Sequence, residues 1–131
     1  MTRAWLIIAG LGGFLSVVAG GAAAHLPAGE RAAQLLRTGA IYGSTHAAAL
    51  VAVVALARLG GSRGSALAIA GWGFAVGIAL FSTSLFALAL TGSGWFGMIT
   101  PFGGVGLLVG WAALATDAWR SCREASAREA R

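Results

Sequence analysis

No residue between Gly64 and Thr116 carries a charge, and this uninterrupted apolar stretch limits the folds that the chain can adopt. A helix of about 20 apolar residues crosses the hydrocarbon core of a bilayer, so the stretch is too long for one crossing and suits two. The sequence Thr91-Gly92-Ser93-Gly94 interrupts it and predicts a turn. We therefore expect a third span at about 66–90 and a fourth at about 98–119.

Two further apolar segments precede this stretch. The first covers 4–24 without a charged side chain, and the second covers 38–57 and ends at Arg58. Each is long enough to cross a bilayer as a helix. The sequence thus predicts a single all-α membrane domain over 1–131, built as a four-helix bundle with a polar tail at 120–131.

Composition excludes the main alternatives to a membrane protein. Charged residues make up 10% of the chain and hydrophobic residues 58%. Soluble domains carry roughly 25% charged residues, and disordered chains need low hydrophobicity together with high charge. The net charge of +5 comes from arginines that flank apolar segments and form no clustered basic face. We therefore expect the lipid bilayer, and no nucleic acid, as a partner.

The arginines also predict the orientation in the membrane. Four spans place both termini and the second loop on one side. Positive residues concentrate on the cytoplasmic side of a membrane, so we expect both termini in the cytoplasm. The sole cysteine, Cys122, then lies unpaired in a reducing compartment. Seven arginines occupy the side with the termini and two the other: Arg3, Arg58, Arg63, Arg120, Arg123, Arg128 and Arg131 against Arg31 and Arg37.

An alternative interpretation of the first span is a secretory signal. Arg3 precedes an apolar run that ends in the small residues Ala22-Ala23-Ala24. The run is longer than the roughly 7–15 apolar residues of such signals, which favours an uncleaved span.

The segment 27–38 has a different pattern. Glu30, Arg31, Gln34 and Arg37 recur at helical spacing, with alanines and leucines between them. This pattern predicts a short amphipathic helix at the outer interface of the membrane, able to continue into the second span. A polar connecting loop is the alternative.

Small residues recur four positions apart in each span and predict how the helices pack. Helices in hydrocarbon associate where small residues let the backbones approach. Packing within one chain is the main interpretation, and a homo-oligomer through the same faces is the alternative. A leucine at Gly20 is expected to disrupt the bundle. The predicted packing residues are Gly12, Ser16, Gly20, Gly43, Gly73, Gly77, Gly106 and Gly110.

Polar residues inside the spans are costly in hydrocarbon and are the first candidates for a function. Tyr42 and His46 are one helical turn apart, and at 1.5 Å per residue Ser82 reaches a similar depth. Thr100 is also predicted to cap the fourth helix. Interhelical hydrogen bonding is the simplest explanation of these residues, and a substrate path is the alternative. One hydrogen-bonded cluster is expected from Tyr42, His46, Ser82, Ser84 and Thr100.

No catalytic motif is found, so no enzyme activity, cofactor or metal is expected. The sequence contains no phosphate-binding loop and no nucleophile elbow in the required context. His25 and His46 differ in depth by roughly 13 Å, which is too far for both to ligate one haem. No cysteine or acid lies near either histidine to complete a zinc site. A haem- or metal-binding redox protein stays as a remote alternative.

Several motifs together resemble a known family. They are the end of the first span, Gly21-Ala-Ala-Ala-His25-Leu; Tyr42 with His46-Ala-Ala-Ala-Leu50; Gly77 to Phe86; Thr100-Pro101-Phe-Gly103-Gly104; and Gly110-Trp111. In this order they resemble domain-of-unknown-function family 423, which includes small bacterial inner-membrane proteins and human transmembrane protein 256.

The chain departs from the family pattern in a few places. Thr83 stands where the family usually has glycine, Phe86 where it often has tyrosine, and Gly43-Ser44 where bulkier residues are common. Phe86 lacks the hydroxyl of that tyrosine, so the sequence offers less support for a path that relays protons through the spans. The resemblance implies a four-helix protein of the bacterial inner membrane and no particular reaction.

The sequence favours a non-enzymatic accessory or scaffold component of a membrane complex. The spans lack charged groups and are rich in glycines that suit helix packing. A small oligomeric transporter or channel, lined by Tyr42, His46 and Ser82, is the second hypothesis.

Overall fold

Four long helices make up the computed structural model, which describes residues 1–25, 27, 29–59 and 64–129. Each helix is long and apolar enough to cross a membrane, and the described residues contain no strand. The predicted all-α, four-helix membrane architecture is thereby confirmed. The helices are α1 (Thr2–His25), α2 (Glu30–Arg58), a third span made of α3 (Ser65–Gly77), a π-helical turn (Ile78–Ser82) and α4 (Thr83–Thr91), and α5 (Gly94–Glu129).

The helices pack as two antiparallel hairpins. α1 lies along α2, and the third span lies along α5. Contacts between the hairpins run mainly through α2 and the third span. The fully buried side chains Leu50, Val53 and Phe74 lie where these two helices meet.

The turn predicted at 91–94 separates the third span from α5. α4 ends at Thr91, and Gly92 adopts a left-handed conformation with φ of 68°. Glycine takes this conformation without steric strain, which suits it to the end of a helix. The Gly92 N–H donates a 2.9 Å hydrogen bond to the carbonyl of Leu88, so the helix end is satisfied.

The fourth helix begins earlier than predicted. α5 starts at Gly94, and Pro101 lies inside it, so the prediction that Thr100 caps this helix is wrong. The Thr100 hydroxyl instead donates to the carbonyl of Phe96, one turn back in the same helix. Proline is tolerated inside membrane helices because neighbouring groups satisfy the backbone that it leaves free.

The amphipathic segment predicted at 27–38 forms no separate element. Helix α2 begins at Glu30 and continues through the segment into the apolar span. Glu30 places a negative charge at the positive end of the helix. Leu36 is buried while Arg37 is exposed, so the expected two-sided character is present in these first turns.

Glycines bring the third span and α5 into backbone contact. A Cβ atom built on Gly73 would lie 2.8 Å from the Cα atom of Gly110 and 2.9 Å from the carbonyl oxygen of Gly106. A Cβ atom on Gly77 would collide with Leu107, and one on Gly106 would lie 3.3 Å from Gly77. These four predicted packing residues therefore meet within one chain.

The other predicted packing residues lie mainly between α1 and α2. A Cβ atom on Gly12 would lie 2.8 Å from the Ile78 side chain, and one on Gly43 would collide with the hydroxyl of Ser16. Gly20 differs, because a Cβ atom there would lie 3.8 Å from that of Ala40, an ordinary contact. The predicted close packing is therefore absent at Gly20 at the level of a Cβ atom, and the effect of Gly20→Leu stays a prediction.

Gly73→Ala is expected to lower the free energy of unfolding in bicelles by about 1–3 kcal/mol, because the new methyl group meets backbone atoms that cannot rotate away. Gly10→Ala is the matched control, since nothing lies within 4 Å of a Cβ atom at Gly10. Equal unfolding free energies for the two variants would contradict the backbone contact.

Candidate functional site

His46 is a buried histidine whose two ring nitrogens both have partners. Its Nδ1 lies 2.7 Å from the carbonyl oxygen of Tyr42, one turn earlier in α2. Its Nε2 lies 3.1 Å from the indole Nε1 of Trp111 on α5. A carbonyl only accepts and an indole N–H only donates, so the proton is on Nδ1 and Nε2 is the acceptor. His46 is therefore a neutral imidazole that links α2 to α5.

Aromatic rings surround this hydrogen bond. The Tyr42 and His46 rings are nearly parallel, with centroids 5.8 Å apart and an interplanar angle of 18°. The Tyr42 ring also lies 4.8 Å from that of Phe81. Trp111 meets Phe74 edge to face, with centroids 5.1 Å apart. We call Tyr42, His46, Phe74, Phe81 and Trp111 the aromatic cluster.

A cavity of about 490 Å³ opens beside the aromatic cluster, between α2 and α5. Tyr42 and Trp111 are 44% and 45% exposed, so the cavity is open to the surroundings of the bundle. At the level of the spans these surroundings are lipid. We call this cavity the lateral groove, and its lining residues are Tyr42, His46, Phe81, Pro101, Gly104, Val105, Leu107, Leu108 and Trp111.

The five predicted polar residues do not form one hydrogen-bonded cluster. Tyr42 and His46 share a face and line the lateral groove. Ser84 and Thr100 form a separate pair, with hydroxyl oxygens 2.8 Å apart across the interface of α4 and α5. Ser82 forms a hydrogen bond with neither group. Residues two positions apart face different sides of a helix, so the hydroxyls of Ser82 and Ser84 point to different neighbours.

Ser82 is 3% exposed, and its hydroxyl has no hydrogen-bond partner among the described residues. It lies beside Gly43, since a Cβ atom built there would be 3.0 Å from the Ser82 oxygen. The hydroxyl of Ser16 approaches Gly43 from α1 and donates to the carbonyl of Gly12 at 2.7 Å. Three helices thus meet at Gly43, with Ser82 as an unsatisfied donor between them.

The remaining candidate ligands lie apart from one another. His25 ends α1 and is exposed, whereas His46 is buried within α2. Among the described residues, no three side chains of His, Cys, Asp or Glu are close enough to hold a metal ion. Binding of a metal by His46 would require the loss of one of its two hydrogen bonds.

Sequence reasoning missed two residues of this part of the molecule. Trp111 belongs to a family motif, but nothing in the sequence identified it as the donor to His46. Asp117 is buried at the other end of α5, at 8% exposure, although it follows the apolar stretch as an ordinary boundary residue. Hydrogen-bond partners across helices depend on helix rotation, which the spacing of residues leaves open.

Four apolar helices, packed through glycines around a neutral histidine and aromatic rings, define a small multi-pass membrane protein. The sequence profile described as "Protein of unknown function (DUF423)" matches residues 19–104. The chain belongs to this family, so the resemblance found in the motifs is confirmed. No solved structure matches the chain.

Several relatives match over nearly their whole length. A protein named "UPF0382 membrane protein" from Haemophilus influenzae is 37% identical over 126 residues, covering 92% of this chain and 98% of the relative. The "UPF0382 inner membrane protein YgdD" of Escherichia coli is 32% identical and covers 98% of both chains. The "UPF0382 membrane protein YwdK" of Bacillus subtilis is 35% identical and covers 83% of this chain and 90% of the relative. All three relatives are named membrane proteins, and the Escherichia coli protein is named an inner membrane protein.

Trp111→Phe is expected to destabilise the protein by about 1–2 kcal/mol, because it leaves the Nε2 atom of His46 without a donor in a water-poor site. Trp72→Phe is the matched control, since both indoles are 45% exposed and Trp72 makes no hydrogen bond to His46. The measurement is the free energy of unfolding in bicelles. A loss no larger than that of the control would contradict the role of the Trp111 hydrogen bond.

Proposed function

We propose that this protein is a non-enzymatic accessory subunit of an inner-membrane complex. One observation supports this most strongly, namely that the contact between the third span and α5 is closed at the level of the backbone. The Gly73–Gly110 approach leaves no room for a path between these helices. A rigid, closed bundle suits a structural partner of other membrane proteins.

The hydroxyl groups of the spans also support a structural role. Most of those on exposed or half-buried faces donate to the carbonyl four residues earlier, as Ser44 does to Ala40 and Thr116 does to Ala112. Such local bonds satisfy a hydroxyl without a partner on another helix. They leave no continuous row of free polar groups for a substrate to follow.

The alternative of a small transporter receives less support from the geometry. The transporter hypothesis requires that Tyr42, His46 and Ser82 line one substrate path. Tyr42 and His46 face the lateral groove, whereas Ser82 lies beside Gly43. The groove opens sideways from the bundle, which suits the binding of a molecule from the membrane better than passage across it.

Helix α5 offers a surface for the partner. It has 36 residues, or a length of about 54 Å, which exceeds the roughly 30 Å of the hydrocarbon core. Its last turns carry Arg120, Cys122, Arg123 and Glu124, all exposed. We call residues 120–129 the helical arm, and we propose that it contacts the partner outside the hydrocarbon.

We propose that both termini are cytoplasmic. The arginine distribution supports this orientation, because Arg3, Arg58, Arg120 and Arg123 belong to one side of a four-span protein and Arg31 and Arg37 to the other. Arg63 and Arg131 lie outside the described residues.

Cys122 permits a direct test of orientation. A membrane-impermeant maleimide is expected to leave Cys122 unmodified in intact spheroplasts and to modify it after permeabilisation. The control moves the cysteine to the turn before α5, as Cys122→Ser with Ser93→Cys, and is expected to react in intact spheroplasts. Reaction of Cys122 in intact spheroplasts would reverse the proposed topology.

The same two proteins test the accessory role. A photoreactive maleimide on Cys122 is expected to yield, in native membranes, an adduct of one defined mass that differs from twice the mass of the chain. The Ser93 control is expected to give no such adduct, because it labels the opposite end of the bundle. Only unmodified monomer, or the same adducts from both positions, would argue against a partner at the helical arm.

A further inference from the structure

The lateral groove is accessible from the interior of the membrane. Its outer rim includes Val105 and Leu108, which are 58% and 70% exposed. Arg58 marks the end of the apolar part of α2, and His46 lies about 18 Å from it along the helix. The groove beside His46 therefore lies near the middle of the bilayer. A ligand must therefore enter it while dissolved in lipid.

The size and shape of the lateral groove suit a flat ring. Its volume of about 490 Å³ falls within the roughly 300–1,000 Å³ of small-molecule sites. Tyr42 and Phe81 present rings at its inner end, with centroids 4.8 Å apart. Gly104 lies beside the Phe81 ring, since a Cβ atom there would be 3.7 Å from it. Flat rings stack on exposed aromatic faces, and Tyr42, which is 44% exposed, offers such a face.

The polar groups of the lateral groove restrict the ligand further. No lining residue is charged, which disfavours an ionic headgroup. Trp111 donates to His46, and His46 donates to the backbone of Tyr42, so neither has a donor left for a ligand. The hydroxyl of Tyr42 has no hydrogen-bond partner among the described residues. The groove thus offers one O–H donor to a neutral acceptor.

We propose that the lateral groove binds a lipid quinone, that is, a flat conjugated ring with carbonyl acceptors on an isoprenoid tail. The ring stacks on Tyr42 beside Phe81, and one carbonyl accepts a hydrogen bond from the Tyr42 hydroxyl. The tail leaves past Leu108 into the bilayer. A phospholipid acyl chain is the competing occupant, but it has neither a flat ring to stack on Tyr42 nor an acceptor for the Tyr42 hydroxyl at this depth.

The purified full-length chain in phospholipid nanodiscs tests this proposal. The probe is a 1,4-naphthoquinone with two isoprenyl units, and calorimetry measures its binding. We expect saturable binding of one quinone per chain. Tyr42→Phe is expected to weaken binding about three- to tenfold, as the loss of one hydrogen bond in a membrane protein does.

A second variant fills the lateral groove. Gly104→Leu is expected to weaken binding more than tenfold, because its side chain occupies the part of the lateral groove beside Phe81. Leu108→Trp fills the mouth of the groove and replaces Gly104→Leu if that variant fails to fold. Gly10→Leu is the control, since it adds the same side chain at a position with open space and is expected to leave binding unchanged.

Two results would overturn the proposal. One is an unchanged Kd in the folded groove-filling variant. The other is equal binding of an isoprenoid hydrocarbon that lacks the ring, which would make the groove an ordinary crevice for lipid chains. Both are measured on the isolated chain, so they are independent of whether the helical arm has a partner.

Discussion

Backbone contact between the third span and α5 is the interaction on which the rest of the structure depends. Water does not drive helices together in hydrocarbon, so the association relies on close packing, and Gly73, Gly106 and Gly110 permit the closest packing available. This contact holds α5 on the third span and away from α2. Helices α2 and α5 then meet chiefly through the hydrogen bond between His46 and Trp111. The lateral groove is the space that remains between them.

The π-helical turn of the third span contains two adjacent side chains, one aromatic and one polar, that face different neighbours. It spans Ile78–Ser82 and inserts an extra residue into the helical repeat. Phe81 lies against Gly103 of α5 and lines the groove, whereas Ser82 is directed at Gly43 of α2. Such turns occur often at functional sites, and this one adjoins the groove on one side and an unsatisfied hydroxyl on the other.

Much of the fold could be predicted from sequence because hydrocarbon imposes simple rules. The absence of charge from Gly64 to Thr116 and the turn at Gly92 define two spans without reference to packing. Helix ends were harder to predict from the sequence. In soluble proteins a proline is typical of the first turn of a helix, but Pro101 lies inside α5. Glycine spacing identified Gly73 and Gly110 as packing residues, yet it also selected Gly20, which has only ordinary contacts. Spacing gives the face of a helix, and only the neighbouring helix decides whether that face is crowded.

The candidate site was less predictable because it depends on how three helices are rotated. Tyr42 and His46 were grouped correctly, since they are one turn apart on one helix. Ser82 and Ser84 were grouped with them because of their similar depth in the membrane. The depth of a residue does not determine which neighbour its side chain faces. The π-helical turn has no signal in composition or periodicity, and it changes the direction of every residue after it relative to those before. Trp111 lies on α5, and no local sequence pattern connects that helix to His46 on α2.

A histidine inside the bilayer needs a compensating set of contacts, and this requirement connects the family motifs with the groove. Burial without partners would leave two polar nitrogens in hydrocarbon, at a free-energy cost that membrane proteins avoid. The hydrogen bonds of His46 remove that cost, but an apolar residue at this position would need no such bonds. The motifs by which the chain resembles its family include the residues that surround His46: Tyr42, Phe81, Pro101, Gly104 and Trp111. A bundle with a purely structural role in a complex would require only apolar helices and small packing residues. The aromatic cluster is not required for such a role. A ligand bound in the lateral groove would explain why these motif residues occur together, because all of them line that groove.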